Sequence, residues 1–352
     1  MRKLHVNGLG ALLATLLLWG AAAPEAPVAD AAMRGDVDAV RTLLRQGADV
    51  NAAQGDGMTA LHWAAEHGNQ DMASALIYAG ANLEAATRLG EYTPLHLAAK
   101  SGRTDVVRVL VDAGANVQAR TSTGSTTALH FAAAAGDAVS VRLLAEHGAD
   151  VNARESLWAQ TPMMFAASRG RTEAVKALAA AGADLSATSG VIDVVEQAAA
   201  DRAAGQVREQ VLKTFQGDRV AGGEGWLPSP SEVQAAVKAA QQVPQAMVQA
   251  NMGMAIDVFS NSDSATAAAA LVPRGAGDEY DPSYPSLVGE QGGLTALLHA
   301  VREGHVSTVF ALLDAGADID QPSAGDHTTP ILMAAINGHY DLLLQLLERG
   351  AD

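Results

Sequence analysis

The feature that most constrains this chain is a period. Thr59-Ala60-Leu61-His62, Thr93-Pro94-Leu95-His96, Thr127-Ala128-Leu129-His130 and Thr161-Pro162-Met163-Met164 open successive copies of one segment, each 34 residues after the last. The clearest copy is Gly90 to Val117, GEYTPLHLAAKSGRTDVVRVLVDAGANV. A fixed spacing of that length means one supersecondary unit repeated and stacked.

Each copy reads as two helices. Thr93 is a good N-cap, and Pro94 fits the first helical position because its missing N–H would have no partner there anyway. Gly102 ends the first helix. The second carries Val106, Val107, Leu110 and Val111, the stripe of a helix buried on one face, and Gly114 stops it as a C′ residue tolerant of positive φ. Neither helix buries its stripe alone, so copies must stack.

These residues resemble the ankyrin repeat: TPLHLAA, the central Gly and the GADVNA ending are all present. Matching units are Asp30 to Ala53, Gln54 to Ala86, Thr87 to Arg120, Thr121 to Arg154 and Glu155 to Thr188, then Gly289 to Gln321 and Pro322 to Asp352, together roughly two thirds of the chain. Gly-Ala-Asp/Asn recurs in register at Gly47, Gly80, Gly114, Gly148, Gly182, Gly316 and Gly350. The resemblance implies an all-α fold, a solenoid of helix-turn-helix units joined by β-hairpin loops. The family period is usually about 33, so a spacing of 34 places one extra residue, most simply in the hairpin.

The domain plan that follows is a leader at residues 1–22, repeats at 29–188, an insertion at 189–288 and two further repeats at 289–352. Arg2, Lys3 and His5 precede an apolar run from Leu9 to Trp19, and Gly20 and Ala22 supply small residues for a peptidase, the pattern of a secretory signal peptide. The run is short for a membrane span, and an uncleaved anchor is the competing reading. Pro24 to Val28 reads as a linker, and Asp30 to Gln46 as a terminal capping unit.

From Ser189 the period fails. The gap from Thr161 to Thr295 is 134 residues, no multiple of 34, so an insertion is expected here and not a run of decayed repeats. Val207, Val211 and Phe215 form a stripe in a helix over 191–215. Gly217 to Trp226 reads as a loop. Ser229-Pro230-Ser231-Glu232 reads as a capping box opening a helix to about Val243, where Pro244 interrupts it. Asn251 to Ser286 lacks periodicity and reads as a mobile loop. The sequence stops within a GADVNA ending, and Leu342, Leu343, Leu344, Leu346 and Leu347 are apolar over more than one face. Either further chain or a partner is expected over that end.

Net charge is −16, from 23 Lys and Arg against 39 Asp and Glu. That argues against a nucleic-acid partner, since phosphate would be repelled. Acidity serves solubility or a basic partner. Without Cys there are no disulfides, thiol nucleophiles or Cys-based zinc sites.

His62, His96 and His130 fall at one place in successive units. Stacked helices lie about 8–10 Å apart, while zinc needs nitrogens about 2 Å from one centre. The resemblance instead implies that this His hydrogen-bonds between neighbouring hairpins, a bond that Met164, Leu298 and Leu332 would lose. His299, one place beyond the slot, and His305 and His339 after Gly, read as packing and capping residues. Asp49, Asn51 and Asp56 lack calcium-loop spacing, and Gly222-Gly223-Glu224-Gly225 is no phosphate loop. No catalytic, cofactor or metal residues are expected, and the chain is not read as an enzyme.

By the resemblance, a protein partner would meet the hairpin tips and the exposed side of the first helices. Tip residues are Met58, Arg88, Glu91, Tyr92, Trp158 and Gln160; helix residues are Glu66, His67, Lys100, Ser101, Ser168, Arg169, Arg302 and Glu303. Tyr92 and Trp158 are the candidate anchors, as aromatics often dominate interface energy; alternatively Trp158 folds over its own hairpin. The expectation is an exported protein-binding scaffold, periplasmic or secreted, with no stable membrane span once the leader is removed. An accessory subunit of an exported enzyme, or a functional module within 189–288, is the alternative.

Overall fold

The computed structural model describes residues 26–216, 227–251 and 290–352. The expected leader at 1–22, the loop at 217–226 and, but for Asn251, the loop at 251–286 lie outside the described residues. The described residues hold sixteen helices and form two compact units, divided after Asp150.

The first unit contains α1 (Pro27–Met33), α2 (Val37–Arg45), α3 (Ala60–His67), α4 (Gln70–Tyr78), α5 (Pro94–Lys100), α6 (Thr104–Asp112), α7 (Ala128–Ala135) and α8 (Ala138–Glu146). They pair as hairpins, and each hairpin stacks on the next: α1, α3, α5 and α7 make an inner row, α2, α4, α6 and α8 an outer row. Leu61, Leu95, Leu110 and Leu129 are fully buried between layers, each contributing about 1.5–3 kcal/mol. Pro27 to Val28, read as linker, belongs to α1, where Pro27 takes the first position and Val28 is buried.

At α3, α5 and α7 the capping Thr is bonded by the His three residues on, in the first helical turn. Thr93 N–H donates to His96 Nδ1 at 3.1 Å, and Thr93 Oγ1 accepts from His96 N–H at 3.4 Å. The same His spans the stack: His62 Nε2 lies 2.9 Å from the Tyr92 carbonyl and His96 Nε2 3.0 Å from the Ala119 carbonyl. Burial holds both imidazoles below their ordinary pKa, partly offset by those backbone bonds.

The second unit contains α9 (Pro162–Ala167), α10 (Thr172–Ala180), β1 (Val191–Asp193), α11 (Val194–Gln216), α12 (Pro230–Asn251), β2 (Glu290–Gly292), α13 (Ala296–Arg302), α14 (Val306–Asp314), α15 (Pro330–Ile336) and α16 (Tyr340–Glu348). Here α9, α13 and α15 form the inner row and α10, α14 and α16 the outer. Stacking passes directly from α9 to α13, so the long segment between α10 and α13 leaves the row intact.

Backbone pairing shows where that segment grows. In the regular hairpins Thr87 N–H donates to the Tyr92 carbonyl, Thr121 to Thr126, Glu155 to Gln160 and Ser323 to Thr328. Ser189 N–H donates to the Leu294 carbonyl in the same role. The insertion is therefore a hairpin tip enlarged by a hundred residues, from a 134-residue gap against a period of 34. It begins as a ribbon, with Val191 opposite Gly292, Ile192 opposite Gln291 and Asp193 opposite Glu290.

Beyond the ribbon α11 packs along α12 through Ala203, Val207 and Ala239, with Val211 alongside and Phe215 half-buried. The capping box at Ser229 forms: Ser229 N–H donates to Glu232 Oε2 at 2.8 Å, and Glu232 N–H to Ser229 Oγ at 3.4 Å. Pro244 does not end α12, which runs on to Asn251. The ring removes one backbone donor, and the rest of the helix, packed along α11, carries the segment through.

Candidate functional site

In the first unit the tip residues divide by burial. Met58 is only 8% exposed, which removes it from the expected contact surface: its side chain packs into the core while its carbonyl accepts from Gln54 N–H. Arg88 and Glu91 are exposed. Glu91 has φ of 53°, and Ser125, Ala159 and His327 take the same left-handed turn two residues before their capping Thr.

Tyr92 is half-buried, and its ring is built into the inner face. It packs 5.8 Å from Phe131 and edge-on at 6.2 Å from His96, and Lys100 Nζ lies 5.2 Å from its centroid. Two predicted residues, Tyr92 and Lys100, thus meet in one cation–π contact. Glu66, His67 and Ser101 are exposed on the ends of α3 and α5; His67 packs on Trp63 and the Glu66 carbonyl accepts from Arg103 Nε. Leu89, which the sequence reading passed over, stands 85% exposed at the tip beside Arg88. Its signal was available: a bulky apolar side chain in a turn otherwise built of Gly, Thr and charged residues.

In the second unit the tip holding Trp158 is organised by the buried Glu155 carboxylate. It accepts from the N–H groups of Leu157 and Trp158, both at 2.7 Å, and of Gln160 at 3.0 Å. Trp158 is 53% exposed and Leu157 72%. The Trp158 carbonyl accepts from Gly190 N–H at 2.6 Å, tying this tip to the base of the insertion.

Trp158, Gln160 and Arg302 line one cavity of about 470 Å³. Its remaining walls include Ile192 and Gln291 of the ribbon, His299 of α13, Asp326 of the next tip and Met333 of α15. Ser168 and Arg169 lie elsewhere; the Arg169 guanidinium sits 5.3 Å over the Phe165 ring. Arg302 Nε pairs with Glu303 at 3.0 Å.

His299 is where the structure departs from the packing role expected of it. It is 3% exposed, and neither ring nitrogen has a hydrogen-bond partner among the described residues. Burial, aided by the Arg302 charge, lowers its pKa to about 4. Thr161 Oγ1 is likewise buried and unpartnered; Met164 occupies the slot whose imidazole bonds Thr59, Thr93 and Thr127 in their units. Among the described residues no three His, Asp or Glu side chains are grouped to hold a metal, and no helix is long and apolar enough to cross a membrane.

Comparison with known proteins bears on the whole arrangement. The family model for ankyrin repeats (3 copies) matches residues 28–121, 119–189 and 258–352. A stretch of 54 residues is 52% identical to the Ankyrin repeat and LEM domain-containing protein 1 homolog of Caenorhabditis elegans, covering 15% of this chain and 8% of that protein.

Proposed function

Because this chain belongs to the ankyrin repeat family, whose repeats are generally protein-interaction modules, we propose that it is an exported scaffold that binds one partner protein through its hairpin tips and adjoining inner-helix surface. The observation that carries this reading is the display of large apolar side chains at the tips: Leu89, Leu157 and Trp158 are all more than half exposed on hydrogen-bonded turns. Such side chains cost solubility when left bare, and aromatic ones are the usual anchors of an interface.

Tyr92 keeps its place as an anchor with a second duty, because its ring supports Phe131 and its carbonyl receives His62. The export part of the proposal rests on the basic and then apolar residues before Ala23. Expression of the whole chain in a bacterial host and mass measurement of the periplasmic product should give an N-terminus at Ala23. Retention of Met1 in a membrane fraction would favour the anchor.

The binding test is affinity purification of tagged chain 23–352 beside a Leu89→Ser/Trp158→Ala version, whose substitutions lie at exposed positions and spare the core. One stoichiometric partner, lost in the variant, supports the tip-centred reading. Equal capture by both versions overturns it.

A further inference from the structure

The repeat itself supplies the comparison that singles out His299. Four residues after the capping Thr the successive inner helices carry Trp63, Leu97, Phe131, Phe165, His299 and Met333. This column is apolar in every unit but one, and the one other polar atom in it, Trp63 Nε1, donates to Gln54 Oε1 at 2.8 Å. His299 alone brings two nitrogens into a buried place and leaves both unpartnered. An imidazole so placed forfeits its hydrogen bonds to water without replacement.

The same unit is the one whose hairpin tip has grown into the insertion. Ribbon residues Ile192 and Gln291 close one side of the cavity over His299, and Trp158 and Met333 give it apolar walls. About 470 Å³ is the size of a small-ligand site, with apolar walls and a few polar groups that fix orientation. Two charges line it. Asp326 is engaged through Oδ1, which accepts from the Ser323 hydroxyl and the Thr328 N–H. Arg302 uses only Nε, on Glu303, and its two terminal nitrogens have no partner among the described residues. The unspent donors are the Arg302 fork and the one N–H of a neutral imidazole, whose other nitrogen is an unspent acceptor.

We propose that this cavity binds a carboxylate carried on an apolar, ring-sized body, with Arg302 and His299 meeting the carboxylate and Trp158 and Met333 the body. A planar guanidinium fork matches a carboxylate in geometry as well as charge. The carboxylate can belong to a free small acid or to the end of a peptide chain; the chemistry is the same. This site shares Trp158 with the tip-centred scaffold and otherwise rests on other residues, His299, Arg302 and Met333.

The test is calorimetric titration of chain 23–352 with phenylacetate, with N-acetyl-Ala-Phe as the chain-end form, and with phenethylamine as the charge-reversed control. Either acid should bind with a Kd of about 1 mM or tighter, the better of the two identifying the source, and the amine should not bind. His299→Phe and Arg302→Gln should each weaken the acid about tenfold. The Phe variant is expected to fold, since Phe131 and Phe165 occupy the same column; the imidazole nitrogen resonances of the unmodified protein, which should move on adding the acid, give a second readout. Absence of binding by both acids, binding by either variant as tight as by the unmodified protein, or preference for the amine would each overturn the site.

Discussion

Acid has to charge His299 at a place built to keep it neutral. Its folded pKa, about 4, lies below the ordinary value, about 6.5, so the unfolded chain takes up the proton first. Stability is thus complete above pH 6.5 or so and is lost as pH falls towards 4, by up to about 3 kcal/mol for this residue. His62 and His96 act in the same direction. Urea unfolding at pH 7.5 and pH 4.5 should show the loss, and His299→Phe should both raise stability at pH 7.5, by about 1–3 kcal/mol as an unmet polar group is removed, and flatten the profile. A Phe variant no more stable than the original would mean that the imidazole is satisfied in solution. Thr161 offers the opposite experiment. Met164→His rebuilds the cap that His96 makes with Thr93, and a gain of about 1 kcal/mol is expected in the same assay; a loss would show that the slot no longer admits an imidazole. Which residues were legible in the sequence follows from the same contrast. The stacking role of His62 and His96 is what the ankyrin resemblance implies, while His299 reads as one more packing residue because only its column, compared across units, marks it as foreign.

At the level of elements, the helices were readable because each has its own punctuation: Thr and Pro to open, Gly to close, apolar spacing between. The insertion was readable as an interruption, but its attachment was not. Hydrogen-bonded tip closure leaves little trace in residue type, since Thr121, Glu155 and Ser189 all serve it. Pro244 misled for a related reason: a missing donor argues for a break only when neighbouring packing does not hold the helix. If the insertion is an enlarged tip, it is dispensable to the stack. Replacing residues 190–293 with Ser-Thr-Gly-Ser, the tip found at 122–125, keeps the Ser189 and Leu294 pair and shortens the loop that must be closed, which costs less entropy. Thermal unfolding followed by circular dichroism should retain a cooperative transition within several degrees of the original. Collapse of that transition would show that the ribbon and α11–α12 support α9 and α13, and the attachment inferred from backbone pairing would then understate their role.

For the molecule as a whole, charge and apolar display pull in different directions, and salt separates them. Removal of 1–22 takes away Arg2 and Lys3, leaving 21 cations against 39 anions, a net charge of −18. Long-range attraction of a basic partner by that field would be screened beyond a Debye length of about 8 Å at physiological ionic strength. Contacts made by Leu89 and Trp158 bury apolar area, which salt does not weaken. A partner held by the tips should therefore associate more slowly as salt rises from about 0.05 to 0.5 M while its dissociation rate stays nearly constant, because steering acts on encounter and close packing on release. Surface plasmon resonance across that range separates the two rates. Should dissociation instead accelerate in parallel with the slowing of association, the acidic surface would be the binding surface, and Leu89 and Trp158 would be bystanders exposed by turn geometry alone.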